Sequence, residues 1–303
     1  MRQQQASGKV GVVGLGIMGS SIASNLQKSG FQVTGIEVPA ATRRRMASLL
    51  SSVSAQVADL LAHDVQHIVT SLPSSAALLS VCQQLVHARQ QQTGRRPRMV
   101  LAEASTFSVK DKLAAKDLLA QADIDMIDAP LSGTGAQAKT KDLTVYASGD
   151  AKAIQAMMPV FKGFSRAQFS VGAFGNGMKM KLVANLLVAI HNVSTAEALL
   201  FGKKLGLSPK KVVEVVADGA GGSRMFQVRG PVMAAGTWKQ ATMKNEVWQK
   251  DMTLFYEALH ELSLPAPLFT ACIPIYHAAM SQGYQLHDTA AVYAVLEKFA
   301  GEA

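Results

Sequence analysis

Short apolar blocks recur through the first half of the chain. Residues 9–14 (KVGVVG), 32–37 (QVTGIE), 67–71 (HIVTS), 99–103 (MVLAE) and 125–129 (DMIDA) are β-rich, and several are closed by glycine or proline. Between them lie stretches with helical spacing, among them 75–88 and 109–122, and a helix opens at the glycines after residue 14 and runs to about Ser29. Strands that alternate with helices of this length predict crossover units and a mostly parallel sheet covered on both faces. A further strand over 143–148 (LTVYAS) precedes the Gly149-Asp150 break and another helix.

After about Phe164 the pattern changes. Gly172, Gly175 and Gly177 punctuate a loop, and an almost unbroken helical pattern then covers 178–205. That helix is apolar on nearly all sides, as expected of one buried between domains or between subunits. From Pro209 onward the segments stay helical, without alternating strands. Two domains are therefore predicted: an α/β, doubly wound, mostly parallel sheet over 1–164, and an all-α domain over 165–303. A site would lie in the cleft between them.

Composition agrees with this division. A chain of 303 residues exceeds what one core usually serves, roughly 250–300 residues. Hydrophobic residues at 49% and charged ones at 17% are ordinary for a globular protein. The richest apolar stretch, 182–190, contains Asn185 and follows Lys181, so it breaks before the roughly 20 residues a membrane span requires. Residues 1–8 are polar and lack the apolar centre of a signal peptide. Cys82 and Cys272 are too few and too far apart for a disulfide framework or metal knuckle. A cytoplasmic protein without a membrane partner is expected.

The formal charge of +9 is concentrated in Arg43-Arg44-Arg45 and Arg95-Arg96-Pro97-Arg98. No aromatic residues interleave with these arginines, so nucleic acid is not an expected partner. The seven histidines show no ligand spacing, and no metal is expected.

The strongest local signal is Gly14-Leu15-Gly16-Ile17-Met18-Gly19, a Gly-x-Gly-x-x-Gly set between a strand and a helix. The first glycine permits the tight turn, the second lets amides approach a pyrophosphate, and the third packs helix on strand. This is the dinucleotide-binding signature of a Rossmann-type sheet. Glu37, 23 residues after Gly14, ends the second strand where a carboxylate would hold the adenine ribose hydroxyls and repel a 2′-phosphate. NAD is the cofactor this favours. Arg43 to Arg45 could instead neutralise that phosphate, which keeps NADP open.

The second signal is Gly172-x-x-Gly175-x-Gly177-x-x-x-Lys181-x-x-x-Asn185. Lys181 and Asn185 are four apart, hence on one helical face. A lysine on a buried helix is costly unless used or paired, and burial brings it toward acid/base work near neutral pH. A snorkelling lysine beside a packing amide is the structural alternative.

Taken in order, the motifs resemble the β-hydroxyacid dehydrogenase family, whose best-known members oxidise 3-hydroxyisobutyrate. They are the glycine set with Asn25-Leu26, Ser71-Leu72-Pro73, Ser105-Thr106, Asp128-Ala129-Pro130-Leu131-Ser132-Gly133, the Gly-Lys-Asn stretch, and Lys250-Asp251. Ser223-x-Met225-Phe226 with Arg229 looks similar to members acting on four-carbon sugar acids such as threonate. The resemblance implies that Leu72, Pro73 and Thr106 line the nicotinamide and its ribose, that Ser71 also binds the cofactor, and that Ser132 and Gly133 grip the substrate carboxylate. It further implies that Lys181 shuttles the proton, Asn185 orients the substrate, and Lys250 closes over cofactor or carboxylate, while Asp251 holds local structure. A homodimer or homotetramer is also implied.

The chain departs from the family at Thr134, where relatives carry a second glycine and where a methyl and hydroxyl would intrude on the substrate. It departs again at Glu103, where aspartate is common, at Phe107, and at Asp288-Thr289-Ala290-Ala291-Val292. The expected function is NAD(P)-dependent interconversion of a short hydroxy acid and its semialdehyde or keto acid. The alternatives are a threonate-like sugar-acid dehydrogenase, an imine reductase on the same scaffold, and a non-enzymatic, dinucleotide-responsive binding protein.

Overall fold

The structure, a computed structural model, describes residues 8–94 and 97–302. Arg95 and Arg96 of the second basic run, and residues 1–7 of the polar N-terminal segment, lie outside the described residues. Strands β1 (Lys9–Val13), β2 (Gln32–Ile36), β3 (Ser52–Ser54), β4 (His67–Thr70), β5 (Met99–Glu103) and β6 (Ile124–Asp128) form one parallel sheet in the order β3-β2-β1-β4-β5-β6. Helices α1 (Ile17–Lys28), α2 (Ala40–Ala47), α3 (Asp59–Ala62), α4 (Ser75–Gln91) and α5 (Val109–Ala120) supply the crossovers.

Strand alternation sorts side chains into two cores. Val10, Val12, Val69, Val100, Ala102 and Ile127 point to one, while Val13, Ile68, Leu101 and Met126 point to the other. Burial on both faces is why these strands read as nearly continuous apolar blocks. Each valine, leucine or isoleucine so buried contributes about 1.5–3 kcal/mol.

A second, three-stranded sheet follows: β7 (Leu131–Ser132), β8 (Thr144–Ala147) and β9 (Ala167–Ser170), with α6 (Gly135–Lys139) and α7 (Ala151–Phe164) between them. β7 and β8 are antiparallel, and β8 and β9 are parallel. The chain divides into two compact units that part between Lys181 and Leu182. The first unit thus extends past Phe164, where the apolar pattern had placed the boundary. β9 carries it on by pairing with β8 from Ala167 to Ser170, and the entry into the next helix is anchored there too.

That helix, α8 (Asn176–Lys204), is the one among the described residues long and apolar enough to cross a membrane by length and composition. Its buried positions include Lys181, Asn185, Asn192 and Thr195. Asn192 Nδ2 donates to Tyr276 Oη at 3.1 Å and to the Thr289 carbonyl at 3.0 Å, as in the core helix of a folded domain. Among its described residues the second unit's regular elements are all helical, apart from one isolated β-bridge between Lys244 and Asp288. The unit adds α9 (Pro209–Val216), α10 (Arg224–Ala235), α11 (Asn245–Glu261), α12 (Pro267–Ser281), a 3-10 turn at Thr289–Ala291 and α13 (Val292–Phe299). Trp248, Phe255 and Phe269 meet edge-on in its core, with centroids 5.9 and 5.8 Å apart.

Candidate active site

In a parallel sheet every strand ends at the same edge, and the strand order reverses between β1 and β4. Ligands of doubly wound sheets bind at such a switch point, beyond the carboxyl ends of the strands. The loops after β1, β2, β4 and β5 carry the glycine set, Glu37, Ser71 to Pro73, and Ser105 to Phe107 respectively, and beyond β6 the short strand β7 ends at Ser132, followed by Gly133 and Thr134.

The glycine set fits a pyrophosphate. Gly14 has φ +87°, and a Cβ there would run into the Ser71 carbonyl. At Gly16 a Cβ would meet nothing within 4 Å, so the loop is open on the side from which a phosphate approaches. Gly16 caps α1 without a side chain, and no acidic residue occupies the first turn, so the helix N-terminus keeps its amides for an anion. Leu15 is wholly buried, Met18 packs on the first core, and Ile17 stands 57% exposed at the rim.

Glu37 follows β2 directly. Its Oε2 accepts the Leu15 amide at 2.7 Å and its Oε1 accepts the Val38 amide at 2.9 Å, which fixes the carboxylate against the glycine loop. Arg43 folds back to donate to the carbonyls of Glu37 and Val38. Arg45 reaches the Leu15 carbonyl at 3.4 Å.

Ser71 and Leu72 are half-buried and Pro73 is exposed. The Leu72 amide donates to Ser105 Oγ at 2.8 Å, which ties the β4 loop to the β5 loop beside Thr106. Ser132 and Gly133 are half-buried, and Gly133 has φ +131°. The Thr134 hydroxyl is committed locally: it caps α6 by accepting the Gln137 amide, while Gln137 Oε1 accepts the Thr134 amide at 3.0 Å. Threonine in place of a glycine therefore builds a capping box, and its hydroxyl turns toward α6.

The entry to α8 is anchored at the end of β6. Asp128 Oδ2 accepts the Met178 amide at 2.7 Å, and Ser148 Oγ accepts the Gly177 amide at 2.9 Å. Only glycine fits at 177, because a Cβ would strike the Tyr146 carbonyl and lie 2.9 Å from both Asp128 oxygens, O and Oδ2. Lys181 and Asn185 follow, both buried and one turn apart on α8. Asn185 Nδ2 donates to Asp251 Oδ2 at 3.1 Å, within the second unit.

Sequence reasoning passed over one group here. Lys112 on α5 is fully buried, with Nζ 2.7 Å from both Glu103 Oε2 and Asp128 Oδ1. Burial alone would lower its pKa. Glu103 and then Asp128 outweigh that, and the ammonium is held above its ordinary 10.5. Spacing alone does not single it out, since Lys116 lies four residues from Lys112 and three from Leu119; burial beside Ala115 and Leu119 does. Nearby Cys82 is pushed up to about 12, first by burial and then by the Glu103 charge.

In the second unit Lys250 is exposed on α11 beside buried Asp251. Arg229 is buried and pairs with Asp288, so the threonate-like segment from Ser223, which caps α10, serves that unit's framework. No group of three potential metal ligands occurs among the described residues.

Comparison with known proteins gives the family. The family model described as the NAD binding domain of 6-phosphogluconate dehydrogenase matches residues 9–198. That described as NAD-binding of NADP-dependent 3-hydroxyisobutyrate dehydrogenase matches 175–296. The chain belongs to the β-hydroxyacid dehydrogenase family. This dehydrogenase is 27% identical to the L-threonate dehydrogenase of Cupriavidus necator, over 94% of its own length and 95% of that protein's. It is 27% identical to the 2-(hydroxymethyl)glutarate dehydrogenase of Eubacterium barkeri, over 97% and 96%. A solved 3-hydroxyisobutyrate dehydrogenase from Salmonella typhimurium superposes with a TM-score of 0.82 at 25% identity, covering 95% of this chain and 99% of that one. The enzyme is an NAD(P)-dependent oxidoreductase.

Proposed function

We propose that the enzyme interconverts a short hydroxy acid of the 3-hydroxyisobutyrate type and its semialdehyde or keto acid, with Lys181 as general acid/base. The observation that carries this is a buried lysine one turn before a buried asparagine, on a helix anchored at the carboxyl edge of the sheet. In oxidation neutral Lys181 Nζ removes the hydroxyl proton, and in reduction its ammonium form returns it. The nicotinamide, when bound, accepts or supplies the hydride. Ser132 and the amides about Gly133 hold the substrate carboxylate, since a hydroxyl and turn amides make an anion nest. Asn185, steadied by Asp251, orients the substrate, and Lys250 closes over cofactor or carboxylate. Leu72, Pro73 and Thr106 line the nicotinamide.

Glu37 favours NAD, because its carboxylate is fixed beside the glycine loop and Arg43 is already engaged by carbonyls. The second unit serves substrate binding and self-association, as a homodimer or homotetramer in the cytoplasm. Exposed apolar side chains on α8, Val183 at 59% and Leu187 at 48%, support association. The partner is a small carboxylate, and neither membrane nor nucleic acid takes part. A second reading, a four-carbon sugar acid as substrate, is favoured by the full-length likeness to L-threonate dehydrogenase.

A panel read at the reduced-nicotinamide absorbance separates these. It comprises 3-hydroxyisobutyrate, 3-hydroxypropionate, glycerate, threonate, serine and 4-hydroxybutyrate, each with NAD and NADP, and a cyclic imine with the reduced cofactors. Turnover of one acid with NAD is the expected result. Imine turnover without acid turnover, or none at all despite tight cofactor binding, would overturn the proposal.

A further inference from the structure

The Lys112–Glu103–Asp128 cluster is wholly buried and carries three charges. Apolar residues of similar volume could fill such a space with no loss of stability, so the cluster's stability alone does not account for it. What apolar residues could not supply is its outward acceptors. Asp128 Oδ2 takes the Met178 amide at 2.7 Å and is hydrogen-bonded by Ser148 Oγ at 3.2 Å, the hydroxyl that holds the Gly177 amide. These are orphan donors in the first turn of α8, where a carboxylate is also favoured by the helix dipole. On the other side Glu103 Oε1 takes the Ser105 amide at 2.8 Å, and Ser105 Oγ takes the Leu72 amide at 2.8 Å.

We propose that Lys112 is a positioning residue with two arms: through Asp128 it sets the first turn of α8 and hence Lys181, and through Glu103 it sets the Leu72 loop. Without its ammonium the two buried carboxylates, each held 2.7 Å from Nζ, would lose their shared partner and repel one another, and the arms they feed would loosen. Lys181 lies three residues after Met178, about 4.5 Å along the helix, so a shift of the first turn is felt at Nζ. A misplacement near 1 Å can cost about a hundredfold in rate.

The inference rests on Lys181 as proton carrier, and the test separates the two. Ser148→Ala weakens the α8 arm by removing the hold on the Gly177 amide while Asp128 keeps the Met178 amide, and Ser105→Ala cuts the Leu72 arm, neither disturbing a charge. Steady-state kinetics of the full chain with its best acid, beside Lys112→Met and Lys181→Ala, reads each arm. Ser148→Ala is expected to lower kcat about tenfold and leave the cofactor KM within about twofold. Ser105→Ala is expected to raise the cofactor KM about tenfold and lower kcat less than about threefold. Lys112→Met should show both effects, and if it does not fold the serine variants decide.

Near-normal turnover of Lys181→Ala would remove the reading on which the α8 arm depends. If Lys181→Ala is inactive while both folded serine variants keep kcat and cofactor KM within twofold, the cluster is structural only. A loss divided alike between kcat and KM in both serine variants would also overturn the proposal.

Discussion

Each unit of this dehydrogenase buries an ion-paired cluster, and the two clusters differ in what they hold. In the second unit Asp288 accepts Arg229, the Thr242 amide at 2.7 Å, the Met243 amide at 3.2 Å and the Ala290 amide at 3.0 Å. Every one of those groups belongs to the framework joining α10, the segment before α11 and the 3-10 turn. In the first unit Asp128 and Glu103 reach amides at Met178 and Ser105, next to groups proposed to do chemistry. Buried charge is thus tied to helix packing in one unit and to site geometry in the other. One cluster should therefore be visible in melting and the other in kinetics.

The largest effect that would sharpen this contrast is Asp288→Ala. It strands Arg229 without a counter-charge and should cost about 3–5 kcal/mol of stability by calorimetry, with kcat of the folded enzyme within twofold. A large kcat loss in folded protein would break the contrast. Gly177→Ala should do the reverse. Its Cβ strikes the Tyr146 carbonyl and Asp128, so the start of α8 must move. A kcat loss of about ten- to a hundredfold is expected from stopped assays, larger in proportion than the fall in melting temperature.

Thr134→Ala removes the α6 cap and should cost about 1 kcal/mol. The acid's KM should rise with it if the Ser132–Gly133 turn holds the carboxylate, and the cofactor KM should stay fixed.

The smallest effects are those of pH. Lys112 is held above its ordinary 10.5, so its stabilising contribution is complete below that value and is lost only as pH rises through its folded pKa. His67 is lowered from 6.5 by burial, so the stability it contributes is present above 6.5 and lost as pH falls through its folded pKa. Melting temperature should be level only between about pH 7 and 9, falling above that because burial holds the Cys82 and Cys272 thiols above their ordinary 9.0, and His67→Gln should flatten only the acid side.

Much of the first unit was legible in the sequence because its strands are buried on both faces and read as apolar blocks. The short strands were not. Ser52–Ser54 and Ala167–Ser170 carry mostly small or polar residues, so no apolar block marks them. Missing the second placed the boundary at Phe164, whereas the first unit runs on to Lys181. The glycine set, Glu37, Lys181 and Asn185 were legible because their spacing states their geometry.

Lys112 was not, since α5 also holds Lys110 and Lys116, and only packing shows which lysine faces inward. Thr134 was legible as a departure, but its hydroxyl's partner depends on Gln137 three residues on, a capping-box spacing readable in principle.

The most direct test of the whole account is kcat of Lys181→Ala with the best acid of the panel, with cofactor affinity measured separately by fluorescence titration. The account predicts a loss of about 10²–10⁴ in kcat with cofactor affinity unchanged. Turnover within a fewfold of wild type would contradict it, and would move the proton to another group of the site.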